Sequence, residues 1–171
     1  MKYISRSIDK TLEEWKESTT HKPLLLRGAR QVGKSSAVRH LGTQFKYFAE
    51  VNFESAKSIA TFFKGDLDVK LISSKISNYI QVPIIPGQTL LFLDEIQACP
   101  EAIMALRFFK EDYPELHVIA AGSLLEFALQ SLPTFGVGRI HSVFMYPMTF
   151  DEFLVAMDMG GLLAMRREAT A

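Results

Sequence analysis

The chain has 171 residues, enough for one domain with a buried core, and its 48% hydrophobic and 22% charged residues argue against a disordered protein. Its 19 basic residues balance 19 acidic ones, so the composition does not support contact with nucleic acid. Cys99 is the only cysteine, which excludes an internal disulfide. No apolar run has the length of a signal peptide or a bilayer span, so we expect a cytoplasmic protein without a membrane partner.

Predicted helices and strands alternate through the first half of the chain. Ile8, Leu12 and Trp15 recur at helical spacing and predict an amphipathic helix. The apolar run at residues 24–26 predicts a strand covered on both faces, and a helix is expected over residues 33–40. The alternating pattern of residues 47–53 predicts a second strand.

The second half continues the same alternation. A helix is predicted over residues 68–79, with Leu71, Ile72, Ile76 and Tyr79 on one face, and two prolines exclude regular structure from residues 82–87. Further elements are predicted as follows: strands at 89–93, 116–121 and 139–146, helices at 100–110 and 124–129, a loop at 131–138, and a final short helix that begins with a capping box at Thr149 and Glu152. The sequence therefore predicts an α/β fold with a five-stranded parallel sheet flanked by helices.

A glycine-rich segment between the first strand and its helix carries the strongest functional signal. It has the pattern glycine, four residues, glycine, lysine, serine, which is the P-loop pattern of nucleoside-triphosphate-binding proteins. The glycines let successive backbone N–H groups point at phosphates, and the following helix adds its positive end. Lys34 is expected to reach the β- and γ-phosphates, and the Ser35 hydroxyl to hold Mg²⁺. The predicted phosphate-binding residues are Gly28, Ala29, Arg30, Gln31, Val32, Gly33, Lys34, Ser35 and Ser36.

The predicted strand at residues 89–93 ends in two carboxylates, Asp94 and Glu95. Ligands of an open parallel sheet bind at the carboxyl ends of its strands, which puts both residues beside the phosphate loop. Asp94 is expected to orient Mg²⁺, and Glu95 to polarise a water that attacks the γ-phosphate. An exposed acidic pair at the end of a strand is the alternative interpretation.

Two further residues have a functional and a structural interpretation. Ser123 follows the strand at 116–121, where it is placed either to sense the γ-phosphate or to cap the next helix. Arg139 follows a glycine-flanked loop, where it is either a finger that neutralises charge during phosphoryl transfer or part of a structural ion pair. The four histidines have no ligand spacing to one another or to Cys99, so a zinc site is not supported.

Four motifs in this order resemble those of the archaeal-type ATPases of the AAA+ superfamily: residues 27–35, 91–97, 121–126 and 146–153. The resemblance implies an AAA+-like core that binds ATP, with Asp94 and Glu95 as the Mg²⁺ and water residues and Ser123 as a sensor. It also implies Arg139 as a finger offered to a neighbouring copy in a homo-oligomer. The prediction that the nucleotide is an adenine nucleotide rests on the resemblance alone. The absence of an Asn-Lys-x-Asp tetrapeptide disfavours a guanine nucleotide.

The resemblance also implies a domain organisation. Its members usually continue into a helical or winged-helix segment and a further C-terminal domain, whereas only 155–171 follow the last motif here. We therefore expect an ATPase domain at 1–154 and a short tail at 155–171, with partner binding carried by the C-terminal domain that is missing.

Two other functions remain open at this stage. The first is a nucleotide-binding module with little or no turnover, and the second is a P-loop phosphotransferase. The phosphotransferase is disfavoured because the sequence shows no acceptor pocket or mobile lid arginines, and because the acidic Asp94-Glu95 pair suits water activation better.

Overall fold

The computed structural model describes residues 3–123, 125 and 138–169, and these form an α/β domain built on one sheet. All the strand pairs are parallel, and the strand order is β2-β3-β4-β1-β5. The strands are β1 (Leu24–Arg27), β2 (Tyr47–Asn52), β3 (Thr89–Asp94), β4 (His117–Ala121) and β5 (His141–Phe144). The predicted five-stranded parallel sheet is therefore confirmed.

Helices connect the strands and cover both faces of the sheet. They are α1 (Ile8–Glu17), α2 (Lys34–Gly42), α3 (Val69–Ile80), α4 (Pro100–Asp112), α5 (Phe150–Ala156) and α6 (Gly160–Ala169), with short 3-10 helices at Lys57–Phe63 and Ile96–Ala98. In the described part of the chain, none of them combines the length and apolar character that a membrane crossing requires.

The central strands are buried on both faces, as their continuous apolar runs predict. In β3, Leu91 and Leu93 join the core formed with α3, α4 and the first 3-10 helix, whereas Leu90 and Phe92 join the core formed with α1 and α2. Successive residues of a strand point to opposite faces, so both faces of β3 pack against apolar side chains. The sheet is consequently the middle layer of three.

Helix ends follow the predicted capping chemistry. Asp68 accepts hydrogen bonds from the backbone N–H groups of the first turn of α3, and Pro100 begins α4. Thr149 and Glu152 form both hydrogen bonds of a capping box at the start of α5. The predicted starts of α4 and α5 are therefore confirmed, whereas the cap at Asp68 was not predicted from the sequence.

Several sequence-based predictions need correction. The buried face of α3 contains Ile72 and Ile76 as expected, but Leu71 and Tyr79 are about half exposed. The last strand covers only 141–144 rather than 139–146, because β1, the strand it pairs with, is itself only four residues long. The 3-10 helix at 57–63 and helix α6 were not predicted.

The predicted helix at 124–129 and the loop at 131–138 lie almost entirely outside the described residues. Only Leu125, which is buried in the core, and Gly138 belong to the described part of the chain. The two predictions remain predictions.

An aromatic cluster closes the amino edge of the sheet. The imidazole rings of His21 and His117 stack with centroids 3.9 Å apart, and Trp15 meets both rings edge-on. The indole N–H of Trp15 donates to the carbonyl of Lys22 over 2.7 Å. Burial, together with the neighbouring His21, lowers the pKa of His117, so the His117 imidazole is neutral at neutral pH.

Candidate functional site

The predicted phosphate loop connects β1 to α2 and has the backbone shape that anion binding requires. Gly28, Gln31 and Gly33 have φ values of 144°, 62° and 101°. A Cβ on Gly28 would lie 2.3 Å from the carbonyl oxygen of Met145, so only glycine fits there. Left-handed residues in such a loop turn successive N–H groups toward one centre, which is the geometry of an anion-binding nest.

Lys34 crosses the mouth of this loop. Its ammonium group donates to the carbonyl oxygens of Gly28 and Ala29 over 2.9 and 2.7 Å. Burial lowers the pKa of Lys34, against the opposite effect of the carboxylates of Glu95 and Asp94. The charge is therefore held close to the loop by weak neutral acceptors, which phosphate oxygens can replace with stronger charge-assisted contacts.

Asp94 lies at the end of β3, within hydrogen-bonding distance of two neighbouring elements. Its Oδ2 accepts from the Ser35 hydroxyl over 2.9 Å and from the amide of Asn52 over 3.4 Å. Burial raises the pKa of Asp94, although hydrogen bonds from Ser35 and from the backbone N–H of Glu95 act against it. A buried carboxylate of this kind is costly until a cation shares its charge.

Asn52 was not chosen from the sequence, although its position at the end of a predicted strand placed it near this edge. β2 and β3 pair in register, which sets Asn52 directly beside Asp94. The side-chain oxygen of Asn52 also accepts from the backbone N–H groups of Glu54 and Ser55. Asn52 therefore fixes the turn after β2 and also donates to the Asp94 carboxylate.

Glu95 lies between β3 and the 3-10 helix Ile96–Ala98 and has a left-handed backbone, with φ of 50°. Its Oε2 accepts a hydrogen bond of 2.6 Å from the side-chain amide of Gln97. Gln97 ends the motif at residues 91–97, but the sequence assigned it no role, because the contact depends on the tight turn that brings residues 95 and 97 together. The carboxylate is consequently held at the rim of the site rather than left in solvent.

Ser123 lies at the end of β4, is buried, and meets the phosphate loop. Its hydroxyl oxygen accepts a hydrogen bond of 3.3 Å from Nε of Arg30. The loop residue Arg30 and the strand-end residue Ser123 are therefore brought together. The alternative role of Ser123 as a helix cap falls on a segment outside the described residues.

Two cavities flank the phosphate loop and share Gln31, Gly33 and Ser36. One, of about 420 Å³, is lined by the residues predicted to act on phosphate: Arg30, Lys34, Ser35, Glu95 and Ser123, together with Glu54. The other, of about 530 Å³, is more apolar and lies between the N-terminal segment and α2, with Tyr3, Ile4, Val32, His40 and Met148 in its walls. A ligand with a charged end and a flat apolar end fits this pair.

Arg6 supports the loop from outside and was missed in the sequence. Its guanidinium donates to the carbonyl oxygens of Val32 and Tyr146 over 2.8 and 2.9 Å. It also forms an ion pair with Glu152 over 3.2 Å. The contact with Tyr146 joins residues 140 positions apart, a separation that no local sequence pattern reveals.

Arg139 is the one predicted catalytic residue that the fold separates from the rest. Leu24 at the start of β1 pairs with His141, so Arg139 lies at the amino edge of the sheet, opposite the phosphate loop. Its Nε is 2.6 Å from a carboxylate oxygen of Glu111 on α4. Within one chain it therefore does not approach the cavity that contains Lys34.

The donor set at the Ser35–Asp94 pair is small. Among the described residues, no group of three or more histidine, cysteine or acidic side chains is arranged to hold a metal ion. A hydroxyl and one carboxylate suit Mg²⁺, which binds through one or two protein oxygens and takes its other ligands from water and phosphate. Cys99 takes no part, since burial raises the pKa of its thiol to about 11.

The parallel sheet, the anion-binding loop between β1 and α2, and the acidic end of β3 together define a P-loop nucleotide-binding domain. A protein-family model described as an AAA domain matches residues 20–154. The chain therefore belongs to this family of AAA-type P-loop ATPase domains. A comparison with curated proteins gave no match.

Proposed function

We propose that this domain binds ATP with Mg²⁺ and hydrolyses it, acting as a nucleotide-driven switch. The observation that carries the proposal is the convergence of Lys34, the Ser35–Asp94 pair and Glu95 around one cavity beside the phosphate loop. Each group has the chemistry that one part of the reaction needs, and three separate elements supply them.

The triphosphate occupies the loop and the polar cavity. Backbone N–H groups of the loop and the amino end of α2 face the phosphates, and Lys34 exchanges its two carbonyl contacts for phosphate oxygens. Ser35 and Asp94 would hold Mg²⁺, which would neutralise part of the phosphate charge when bound. The raised pKa of Asp94 supports this role, because a nearby cation reduces the free-energy cost of keeping that buried carboxylate ionised.

The adenine ring of ATP lies in the more apolar cavity. Tyr3 and His40 stack with ring centroids 4.0 Å apart at its wall, and Ile4, Val32 and Met148 add apolar surface. Flat aromatic and apolar walls of this kind favour a purine ring. The shared residues Gln31, Gly33 and Ser36 let one nucleotide fill both cavities.

Glu95 is the residue that activates water. A water hydrogen-bonded to its carboxylate attacks the γ-phosphorus, the bond to the β-phosphate oxygen breaks, and the proton of the water passes to Glu95. Ser123 and Arg30 are hydrogen-bonded to each other and line the same cavity, which supports a role for both in contacting the γ-phosphate. The products are ADP and inorganic phosphate.

Replacing Glu95 with glutamine tests this proposal. Glu95→Gln keeps the shape of the side chain but not its capacity to accept a proton, so we expect unchanged ATP affinity and a single-turnover rate lowered by at least about 10²-fold. Asp94→Asn should instead weaken the dependence of ATP binding on Mg²⁺. Glu115→Gln, at an exposed position, is the matched control.

A nucleotide-binding module without turnover is the second candidate function. It would give tight ATP binding with no phosphate release in the wild-type chain. Hydrolysis by Glu95→Gln at the wild-type rate would show that Glu95 is not the activating group.

A further inference from the structure

Gln97 contacts the proposed water-activating residue but has no part in the reaction as described so far. It lies on the 3-10 turn Ile96–Ala98, and its amide nitrogen donates to Oε2 of Glu95 over 2.6 Å. This is a short hydrogen bond to a carboxylate, of the charge-assisted kind. It fixes one of the two carboxylate oxygens and leaves Oε1 to meet water.

The other end of the Gln97 side chain is packed against the end of β4. Oε1 of Gln97 lies directly against Gly122, since a Cβ added to that glycine would lie 2.2 Å from this oxygen. The amide is therefore confined between Glu95 on one side and the Gly122–Ser123 segment on the other.

The carbonyl oxygen of this amide is buried without a hydrogen-bond partner among the described residues. An unpaired buried acceptor costs free energy, and a side chain chosen only for packing would avoid it. Gln97 is retained at that cost while its donor end holds Glu95, which indicates a role for the donor rather than for the bulk of the side chain.

We propose that Gln97 is a positioning residue for Glu95, and that it sets the Glu95 carboxylate against the Gly122–Ser123 end of β4. Its neutral amide orients the carboxylate without supplying a proton or a charge that would weaken the base. Ser123 contacts Arg30 of the phosphate loop, so Gln97 ties the activating group to the part of the site that meets the γ-phosphate. This inference rests on the proposed function.

Gln97→Leu removes the donor at nearly constant volume and also removes the unpaired oxygen, so the fold should be at least as stable. We expect kcat to fall by about 10²-fold, because misplacement of a reacting group by about 1 Å has an effect of that size. The dissociation constant for ATP should not change. Gln88→Leu, at an exposed position, is the matched control.

Gln97→Glu gives a second readout that packing alone would not produce. It keeps the size and shape of the side chain but replaces the amide donor with a carboxylate that repels Glu95, so kcat should fall at least as far as in Gln97→Leu. Wild-type kcat in Gln97→Glu would overturn the positioning role.

Combining Gln97→Leu with Glu95→Gln separates this inference from the proposed function. A residue that acts through Glu95 has no further effect once Glu95 is replaced, so the double variant should match Glu95→Gln. Wild-type kcat in Gln97→Leu, an equal loss in both backgrounds, or a weakened ATP affinity would each overturn the inference while leaving Glu95 in place. A wild-type chain that binds ATP without hydrolysing it would instead overturn the hydrolytic function, and this inference with it.

Discussion

The ammonium group of Lys34 faces the predicted phosphate site, so its removal should affect ligand binding far more than folding. ATP at about a hundred times its dissociation constant should stabilise the wild-type fold by about 2.7 kcal/mol, a rise in Tm of about 5–11 °C. Lys34→Ala should lose most of that rise. Thermal unfolding with and without Mg·ATP measures it.

Lys75→Ala is the matched control for this measurement, because Lys75 is exposed in the middle of α3. It should keep the whole ATP-dependent rise. If Lys34→Ala keeps it too, the loop at residues 28–35 does not hold the phosphates.

Single residues of the candidate site divide into those that the sequence predicts and those that it does not. Lys34, Ser35 and Asp94 belong to contiguous motifs whose spacing is set by one loop or one strand end. Arg6 donates to the carbonyl of Val32 in the phosphate loop, and Asn52 donates to Asp94. Both contacts form only when the folded chain brings distant segments together. A single sequence contains no direct signal for such contacts.

At the scale of elements, Glu152 connects α5 to the N-terminal segment. Burial alone would raise its pKa, but hydrogen bonds from Ser7 and Thr149 and the contact with Arg6 lower the pKa to about 2. A lowered pKa means that the charged form stabilises the fold above the unfolded-state value of 4.5, and that this contribution is lost as pH falls from 4.5 toward 2.

Glu152→Gln should therefore lower the free energy of unfolding at pH 7 by about 1–2 kcal/mol, a value for hydrogen bonds to a charged group reduced for solvent exposure. Denaturant titrations at several pH values measure the difference, which should shrink steadily below pH 4.5. Glu14→Gln removes an exposed carboxylate of α1 and should change little at any pH. A difference that persists at the lowest pH would show that the contribution of Glu152 is not its charge.

The elements themselves follow the sequence closely where the pattern is long or doubly apolar. β3, α4 and the capping box at Thr149 needed only local signals. The exposure of Leu71 and Tyr79 could not be predicted from local signals. Which part of an amphipathic face is covered depends on the neighbouring helices. The short β5 likewise reflects the length of its partner strand rather than its own composition.

At the scale of the whole molecule, Arg139 lies at the edge of the sheet opposite the phosphate loop of its own chain. A catalytic role for Arg139 therefore requires a second copy of the chain. An arginine finger supplied between subunits is worth about 10³–10⁵ in rate. We expect ATPase activity per molecule to rise with protein concentration, and a mixture of Arg139→Ala with Lys34→Ala to recover turnover. Phosphate release over a hundredfold range of concentration, with the mixing assay, measures both.

Glu111→Ala distinguishes this role from a structural one, since it breaks the Arg139–Glu111 ion pair but keeps the arginine. It should retain activity that Arg139→Ala loses. Equal effects of both variants, with flat activity at all concentrations and no recovery on mixing, would leave Arg139 as a surface ion-pair residue.

The sheet determines how far the whole site was predictable. Alternating strands and helices predicted a parallel sheet, and a parallel sheet places all carboxyl ends at one edge, which brought Asp94, Ser123 and the loop together. The order β2-β3-β4-β1-β5 was not encoded in any pattern. Without that order, the neighbours of each site residue could not be assigned.

The position of Trp15 has a practical consequence for spectroscopy. It is the single tryptophan of the chain and is packed on His21 and His117 at the amino edge, opposite the phosphate loop. A nucleotide at the loop does not touch the indole, so the fluorescence emission of Trp15 measures unfolding without direct interference from the ligand. If ATP alters that emission in the folded protein, the change has been transmitted across the full length of the sheet.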